Sequence, residues 1–227
     1  MSWIEDLQNR QPGRAFWRIA IWQAMQTLCF YVIWLVYRYR SWGVRHIPAT
    51  GPVLFAANHQ SFFDPMLIGS AASKRHFFAL GRSTLYDHWF LGNLAEVTNS
   101  IPVEQGAGDV KAIKRCIEVL KARQALLIFP EGARTLDGQV QPFETGTMLI
   151  IKRAKPMVVP VALEGVADAW KRGHKLPRLW GPKLGVKFGP PIPAETLTAM
   201  SPQDAMTYLR NRVETMRQAV EHQLNTL

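Results

Sequence analysis

The sequence predicts an α/β protein with a largely parallel central sheet flanked by helices, entered through an apolar helical segment at the amino terminus. Two patterns predict it. Short apolar runs bounded by turn residues alternate with helically periodic stretches from about residue 43 onward, and that alternation marks strand–helix–strand units. Ahead of them lies an uncharged run, Ile19 to Tyr37. A chain of 227 residues, 48% hydrophobic and 19% charged, has the apolar content for a packed core and is not disordered in character.

The elements follow in order. Val53–Ala57 (VLFAA) reads as a buried strand, and Asp64-Pro65 opens a helix through Ala72, with aspartate at the N-cap and proline at the first helical position. His76–Leu80 and Ile101–Val103 read as strands. Asp109 begins a helix whose stripe is Val110, Ile113, Ile117 and Leu120. Ala125–Phe129 and Met157–Leu163 are further buried strands, with a helix over Thr147–Ala154 between them. Leu184–Phe188 is a last strand, and Met206, Leu209, Val213, Met216, Val220 and Leu224 mark an amphipathic final helix. The expected organisation is a membrane-associated segment over residues 1–42 and an α/β domain over residues 43–227.

The uncharged run is flanked by Arg14 and Arg18 before it and by Arg38, Arg40 and Arg45 after it. Its length just suffices to cross a bilayer. Gln23, Gln26 and Thr27 weaken a span, however, and Trp22, Tyr31, Trp34, Tyr37 and Tyr39 are interfacial types. Arginines at both ends also remove the asymmetry that orients a span. The run is too long for a signal peptide and no small-residue cleavage site follows. The expectation is a helix or helical hairpin lying in or dipping into one leaflet, with a buried core helix as the alternative.

The formal net charge of +10 calls for an anionic partner. From Ala169 to Ala194 there is no acidic residue, while Lys171, Arg172, Lys175, Arg178, Lys183 and Lys187 fall there with Trp170 and Trp180 among them. A membrane surface with anionic lipid, single-stranded nucleic acid or an ordinary solvated loop would each account for such a segment. The apolar amino-terminal run favours the membrane, since nucleic acid explains only the charge. Cys29 and Cys116 show neither pairing nor metal spacing, which fits a reducing cytosolic setting.

Function in such sheets gathers in loops past the carboxyl ends of strands, and three polar loops sit there: Asn58–Asp64, Pro130–Leu136, and Glu164 onward. The first reads N-H-Q-S-F-F-D. His59 can take a proton from a hydroxyl near neutral pH, and a carboxylate on its other nitrogen, Asp64, fixes the tautomer. Across a loop-to-helix corner the two side chains can meet. Taken alone, this spacing is more often a helix cap beside an ordinary loop histidine. Ser61 lacks the G-x-S-x-G turn of a nucleophilic serine. His59, His76 and His88 lack metal-ligand spacing, so no metal is expected. The second loop, F-P-E-G-A-R-T over Phe129–Thr135, offers Arg134 for bidentate phosphate binding and Gly132 for close backbone approach. Glu131 either accepts from substrate hydroxyls or holds Arg134. A plain turn with a surface ion pair is the competing reading.

Together, N-H-x-S-x-x-D, then F-P-E-G-x-R-[ST] some seventy residues later, then V-P-V-A at Val159–Ala162, resembles the glycerolipid acyltransferase family from about Gly43 to Pro191. That family includes the 1-acylglycerol-3-phosphate acyltransferases. The resemblance implies a one-step transfer, without an acyl-enzyme or cofactor, from acyl carrier protein or a coenzyme A thioester to a lysophospholipid. His59 would be the general base, oriented by Asp64. Glu131, Gly132, Arg134 and Thr135 of the second block, with Arg82 after an earlier strand, would bind the substrate. Phosphatidate would form on the cytoplasmic side of a bacterial inner or cytoplasmic membrane. One position departs from the family: Gln105 stands where arginine is common, which opens the acceptor headgroup to question. Another lysolipid or amino-lipid acceptor and a non-catalytic membrane-binding module are the alternatives.

Overall fold

The computed structural model describes residues 15–87, 89, 99–103, 110–174 and 176–227. Within them the chain forms α1 (Phe16–Tyr37), β1 (Arg40–Trp42), β2 (Val53–Ala57), α2 (Asp64–Ala71), β3 (Phe77–Arg82), β4 (Ser100–Val103) and α3 (Val110–Lys121). There follow β5 (Ala125–Ile128), α4 (Thr147–Ala154), β6 (Met157–Glu164), α5 (Val166–Ala169), β7 (Gly185–Phe188), β8 (Ile192–Pro193), α6 (Ala194–Thr198) and α7 (Pro202–Asn225).

The strands make one sheet in the order β1-β7-β6-β2-β5-β3-β4, with β8 paired to β6. Only β7 and β8 run antiparallel to their neighbour β6, so the expected largely parallel sheet is present. Side chains alternate across a strand, and the central strands fill a core on each face. Leu54, Ala56, Leu126, Ile128, Val158 and Ala162 pack towards α3, α4, α6 and α7. Phe55, Ala57, Leu127, Val159, Val161 and Leu163 pack towards α1, α2 and α5. Burial on both sides explains why these strands read as unbroken apolar runs.

Several expectations shift in detail. The sequence reading did not mark β1 and β8, which are three and two residues long. In α3 the buried set is Ala112, Cys116, Val119 and Leu120, with Ile113 and Ile117 partly buried, while Val110 is 75% exposed. The helix is rotated from the stripe its larger apolar residues suggested, because small Ala112 and Cys116 allow close approach to the sheet. Ser201 caps α7 by accepting from the Asp204 N–H at 3.2 Å, with Pro202 in its first turn.

The amino-terminal run forms a single continuous helix over residues 16–37, not a hairpin. At about 1.5 Å per residue it is roughly 33 Å long. Its two glutamines turn towards the protein: Gln26 is buried and donates to the Gly69 carbonyl at 2.7 Å, and Gln23 meets His76 Nε2 at 3.4 Å. Ile19, Trp22, Ile33 and Tyr37 line the same face, with Trp22 set edge-on against Phe77. The opposite face exposes Trp17, Ile21, Leu28, Tyr31, Val32, Trp34 and Leu35. The glutamines that weaken a membrane span on sequence are thus the residues that bind the helix to the α/β body.

Candidate active site

Strands β6, β2 and β5 are adjacent and parallel, so the loops that follow them emerge together at one end of the sheet. The loop after β2 is fastened by its own side chains. Asn58 continues the β2–β6 ladder, donating through Nδ2 to the Leu163 carbonyl at 3.0 Å and accepting from the Leu163 N–H at 2.8 Å. Gln60 spans three loops: its Nε2 donates to the Gly138 carbonyl at 2.9 Å, and its Oε1 accepts from the N–H groups of Val166 and Ala167. Ser61 Oγ donates to the Trp170 carbonyl at 2.9 Å, so this serine is a buried tie and not a nucleophile. Gly165 (φ +79°), which turns the chain between β6 and α5, must lack a side chain, because a Cβ there would strike the Lys183 carbonyl.

His59 lies between these ties. Its Nδ1 meets Asp64 Oδ2 at 2.7 Å, and the two side chains are 20% and 0% exposed. The same carboxylate oxygen accepts the backbone N–H groups of Gln60 at 2.6 Å and Ser61 at 2.9 Å. Asp64 therefore does not cap its own helix, whose N-cap is Phe63. It turns back to hold the histidine loop. Burial pushes its carboxyl above the usual range, while the hydrogen bonds from His59, Ser61 and Gln60 pull the other way. Three donors converging on one oxygen form the environment of a carboxylate. With Asp64 on Nδ1, Nε2 is the nitrogen left to meet a hydroxyl.

The second loop frames this histidine. Phe129 stacks on the His59 ring with centroids 3.9 Å apart and planes 13° from parallel. Glu131 Oε1 accepts the His59 N–H at 3.1 Å, and the Thr135 N–H donates to the His59 carbonyl at 2.8 Å. Gly132 (φ +70°) makes the turn between those contacts, and the space beside it would admit a Cβ, so backbone conformation is what requires glycine here. Glu131 is 9% exposed, and burial, with the nearby Asp64 carboxylate adding to it, raises its carboxyl to about 8. It serves the backbone of His59 where the sequence suggested a substrate hydroxyl or Arg134. The Thr135 side chain likewise turns inward, donating to Asp137 Oδ1 at 2.6 Å.

Arg134 emerges beside Thr135, with its guanidinium carbon 3.6 Å from the centroid of Phe62. Arg82 ends β3, and continuing the β3–β5 register places it level with Pro130, at the same end of the sheet. The structure thus brings His59, Asp64, Glu131, Gly132, Arg134 and Thr135 together and puts Arg82 at the same edge. Gln105 and His88 lie outside the described residues. Asn58, Gln60 and Phe129 were not singled out on sequence. Their partners are strands away, and the only local sign was a pair of amides directly after an apolar strand.

An imidazole and a buried carboxylate held this way, past the strand ends of a mostly parallel sheet, have the geometry to take a proton from a hydroxyl. The Acyltransferase family model matches residues 38–164, more than half the chain, and the protein belongs to that family. It is 26% identical over 136 residues to a chloroplast 1-acyl-sn-glycerol-3-phosphate acyltransferase of Brassica napus, covering 59% of this chain and 39% of the relative. It is 33% identical over 123 residues to a lyso-ornithine lipid O-acyltransferase of Pseudomonas aeruginosa, covering 52% and 46%. The chain spans less than half the length of either relative. The crystal structure of the 1-acyl-sn-glycerophosphate acyltransferase from Thermotoga maritima shares the fold, with a TM-score of 0.72 at 20% identity over 96% of this chain and 87% of that one.

Proposed function

We propose that the protein transfers a fatty acyl group from a thioester to the free hydroxyl of 1-acyl-sn-glycerol-3-phosphate, forming phosphatidate. The observation that carries the reading is the 2.7 Å contact between His59 Nδ1 and the fully buried Asp64, which fixes the imidazole with Nε2 turned to substrate. His59 Nε2 takes the hydroxyl proton as the oxygen attacks the thioester carbonyl, forming the C–O bond. The C–S bond then breaks, and the leaving thiolate recovers the proton from the imidazolium, so His59 ends as it began. Asp64 stabilises the imidazolium between those steps. Arg134, with Arg82, meets the acceptor phosphate. The names of the plant and bacterial relatives support this acceptor. Acyl carrier protein and coenzyme A are both suitable donors.

The reaction belongs at a membrane surface. One face of α1 is occupied by the α/β body from Ile19 to Tyr37, so the helix lies in one leaflet with its outward apolar face in lipid and does not cross alone. The Leu184 N–H donates to the Tyr37 carbonyl, which seats the basic 171–183 segment beside the end of this helix. That segment exposes Leu176, Leu179 and Trp180 among its cations, a composition suited to anionic headgroups. Cys29 and Cys116 are thiols, a state that the reducing cytoplasmic side of a membrane maintains. Replacing Leu28, Val32 and Leu35 with asparagine should release the protein from vesicles containing anionic lipid while its thermal melt stays unchanged. Undiminished co-sedimentation at high salt would exclude this seat.

A second reading, acylation of a lyso-ornithine lipid, is favoured by the 33% identity to the Pseudomonas relative. Incubating the purified protein with both lysolipids and both donor types, with products identified by mass spectrometry, decides between them. Preferential acylation of lyso-ornithine lipid selects the second reading, and no transfer to either acceptor removes both.

A further inference from the structure

Between Ser61 and Asp64 the first loop carries two phenylalanines, and they differ. Phe63 packs inward, edge-on to Tyr37 and to Trp170, with centroids 6.0 and 4.9 Å away. Phe62 is 53% exposed in a loop whose neighbours Asn58, Gln60, Ser61 and Asp64 are buried, so it fills no core. What it does is lie under the Arg134 guanidinium, 3.6 Å from carbon to ring centroid, while its own ring rests against Trp170 at 5.8 Å. Arg134 is held from a second side, since Arg172 Nη1 donates to its carbonyl at 2.8 Å. Trp170 is fixed in turn by Ser61 Oγ on its carbonyl and by its own indole N–H on the His174 carbonyl.

We infer that Phe62 is a positioning residue for Arg134, holding its guanidinium flat at the mouth of the His59 site so that the enzyme selects acceptors bearing an anionic phosphate headgroup. Stacking uses the face of a guanidinium, whereas phosphate is bound through its in-plane N–H edge, so the two interactions do not compete. A long side chain that is already ordered loses less freedom when the ligand arrives, and the gain appears as affinity. Arg134 sits one residue from Thr135, whose N–H binds the His59 carbonyl, so fixing the arginine also fixes where a bound headgroup stands relative to the base.

The inference rests on the acyl-transfer reading, and the experiment separates their failures. Steady-state kinetics with lysophosphatidate and with a phosphate-capped lysolipid are compared in wild type, Phe62→Ala and Phe62→Tyr. Alongside them, the rate of phenylglyoxal labelling of Arg134 is read by peptide mass spectrometry. Phe62→Ala should raise KM for lysophosphatidate by roughly three- to thirtyfold, the range a cation–π contact supports. Its kcat should stay within about twofold and its KM for the capped lipid unchanged. Labelling of Arg134 should accelerate in Phe62→Ala, and Phe62→Tyr should restore both values. Equal labelling in wild type and Phe62→Ala would overturn the inference whatever the acceptor proves to be, and so would an equal loss of kcat on both lipids at unchanged KM. A wild-type protein that acylates neither lipid, with labelling still dependent on Phe62, would refute the acyl-transfer reading and the headgroup selection together, leaving only the stack.

Discussion

Two buried ionic clusters lie at the same end of the sheet and serve opposite ends. In the first, Asp64 collects His59 and two backbone N–H groups on one oxygen, and the imidazole keeps a second nitrogen for another partner. In the second, Arg217 of α7 is 5% exposed and binds Glu164 at 2.6 Å and Glu214 and Glu221 at 3.1 Å each, with Gln139 at 3.4 Å. Burial works against the charge on Arg217, but Glu214 and Glu164 together push its pKa above the ordinary value. That cluster is closed: its donors are directed at partners inside the protein, and it pins α7 to the end of β6 and to the second loop. A charge pair that saturates itself holds structure. One that leaves a titratable nitrogen unspent can do chemistry.

The sharpest way to break this contrast is at His59. His59→Ala should cost about two to four orders of magnitude in transfer rate while the protein stays folded, because its backbone contacts to Glu131 and Thr135 survive and only the Asp64 bond and the Phe129 stack are lost. Asp64→Asn should also be severe, since an amide oxygen cannot anchor three donors and stabilise an imidazolium. Near wild-type turnover in His59→Ala would end the general-base assignment. At Arg217 the expectation inverts. Arg217→Leu should lose roughly 2–4 kcal/mol of stability, below the figure for a fully buried pair because Glu221 is half exposed. Its turnover per folded molecule should hold, and a chemical-denaturation midpoint with parallel rate assays tests both halves.

A smaller effect sharpens the comparison from the side of Glu131. Its carboxyl is raised to about 8, so the folded state holds a proton that the unfolded chain releases nearer the ordinary value of 4.5. The proton-linked stability is complete below the unfolded value and is lost as pH rises through the folded one. Stability should therefore fall between about pH 4.5 and 8. Glu131→Gln keeps an oxygen for the His59 N–H and should flatten that slope, as melts across the pH series would show. An unchanged slope would place the titration elsewhere.

Much of the site was legible because its chemistry is local in sequence. His59 and Asp64 are five residues apart on one corner, and Phe129–Thr135 is a single turn after a strand. The frame around them was not legible. Asn58 binds Leu163, Gln60 binds Gly138 and Val166, and Phe129 covers His59, all across sequence separations that no spacing rule encodes. The bond of Glu131 to His59 was hidden for the same reason, since that partner is a backbone amide 72 positions earlier.

The sequence by itself indicated the order of the main strands and helices, the burial of the central strands and the histidine, carboxylate and arginine that stand in the loops past them. Each of these follows from periodicity or residue chemistry acting within a few residues. Only the tertiary structure decided which face of each element turns inward. Gln23 and Gln26 of α1, read as defects in a membrane helix, became its bonds to the body, and the stripe of α3 rotated to bring alanine and cysteine against the sheet. The physical reason is common to both. Periodicity fixes that a helix has an apolar side, but the shape and unpaired polar groups of the opposing surface, such as the Gly69 carbonyl, choose the side that docks.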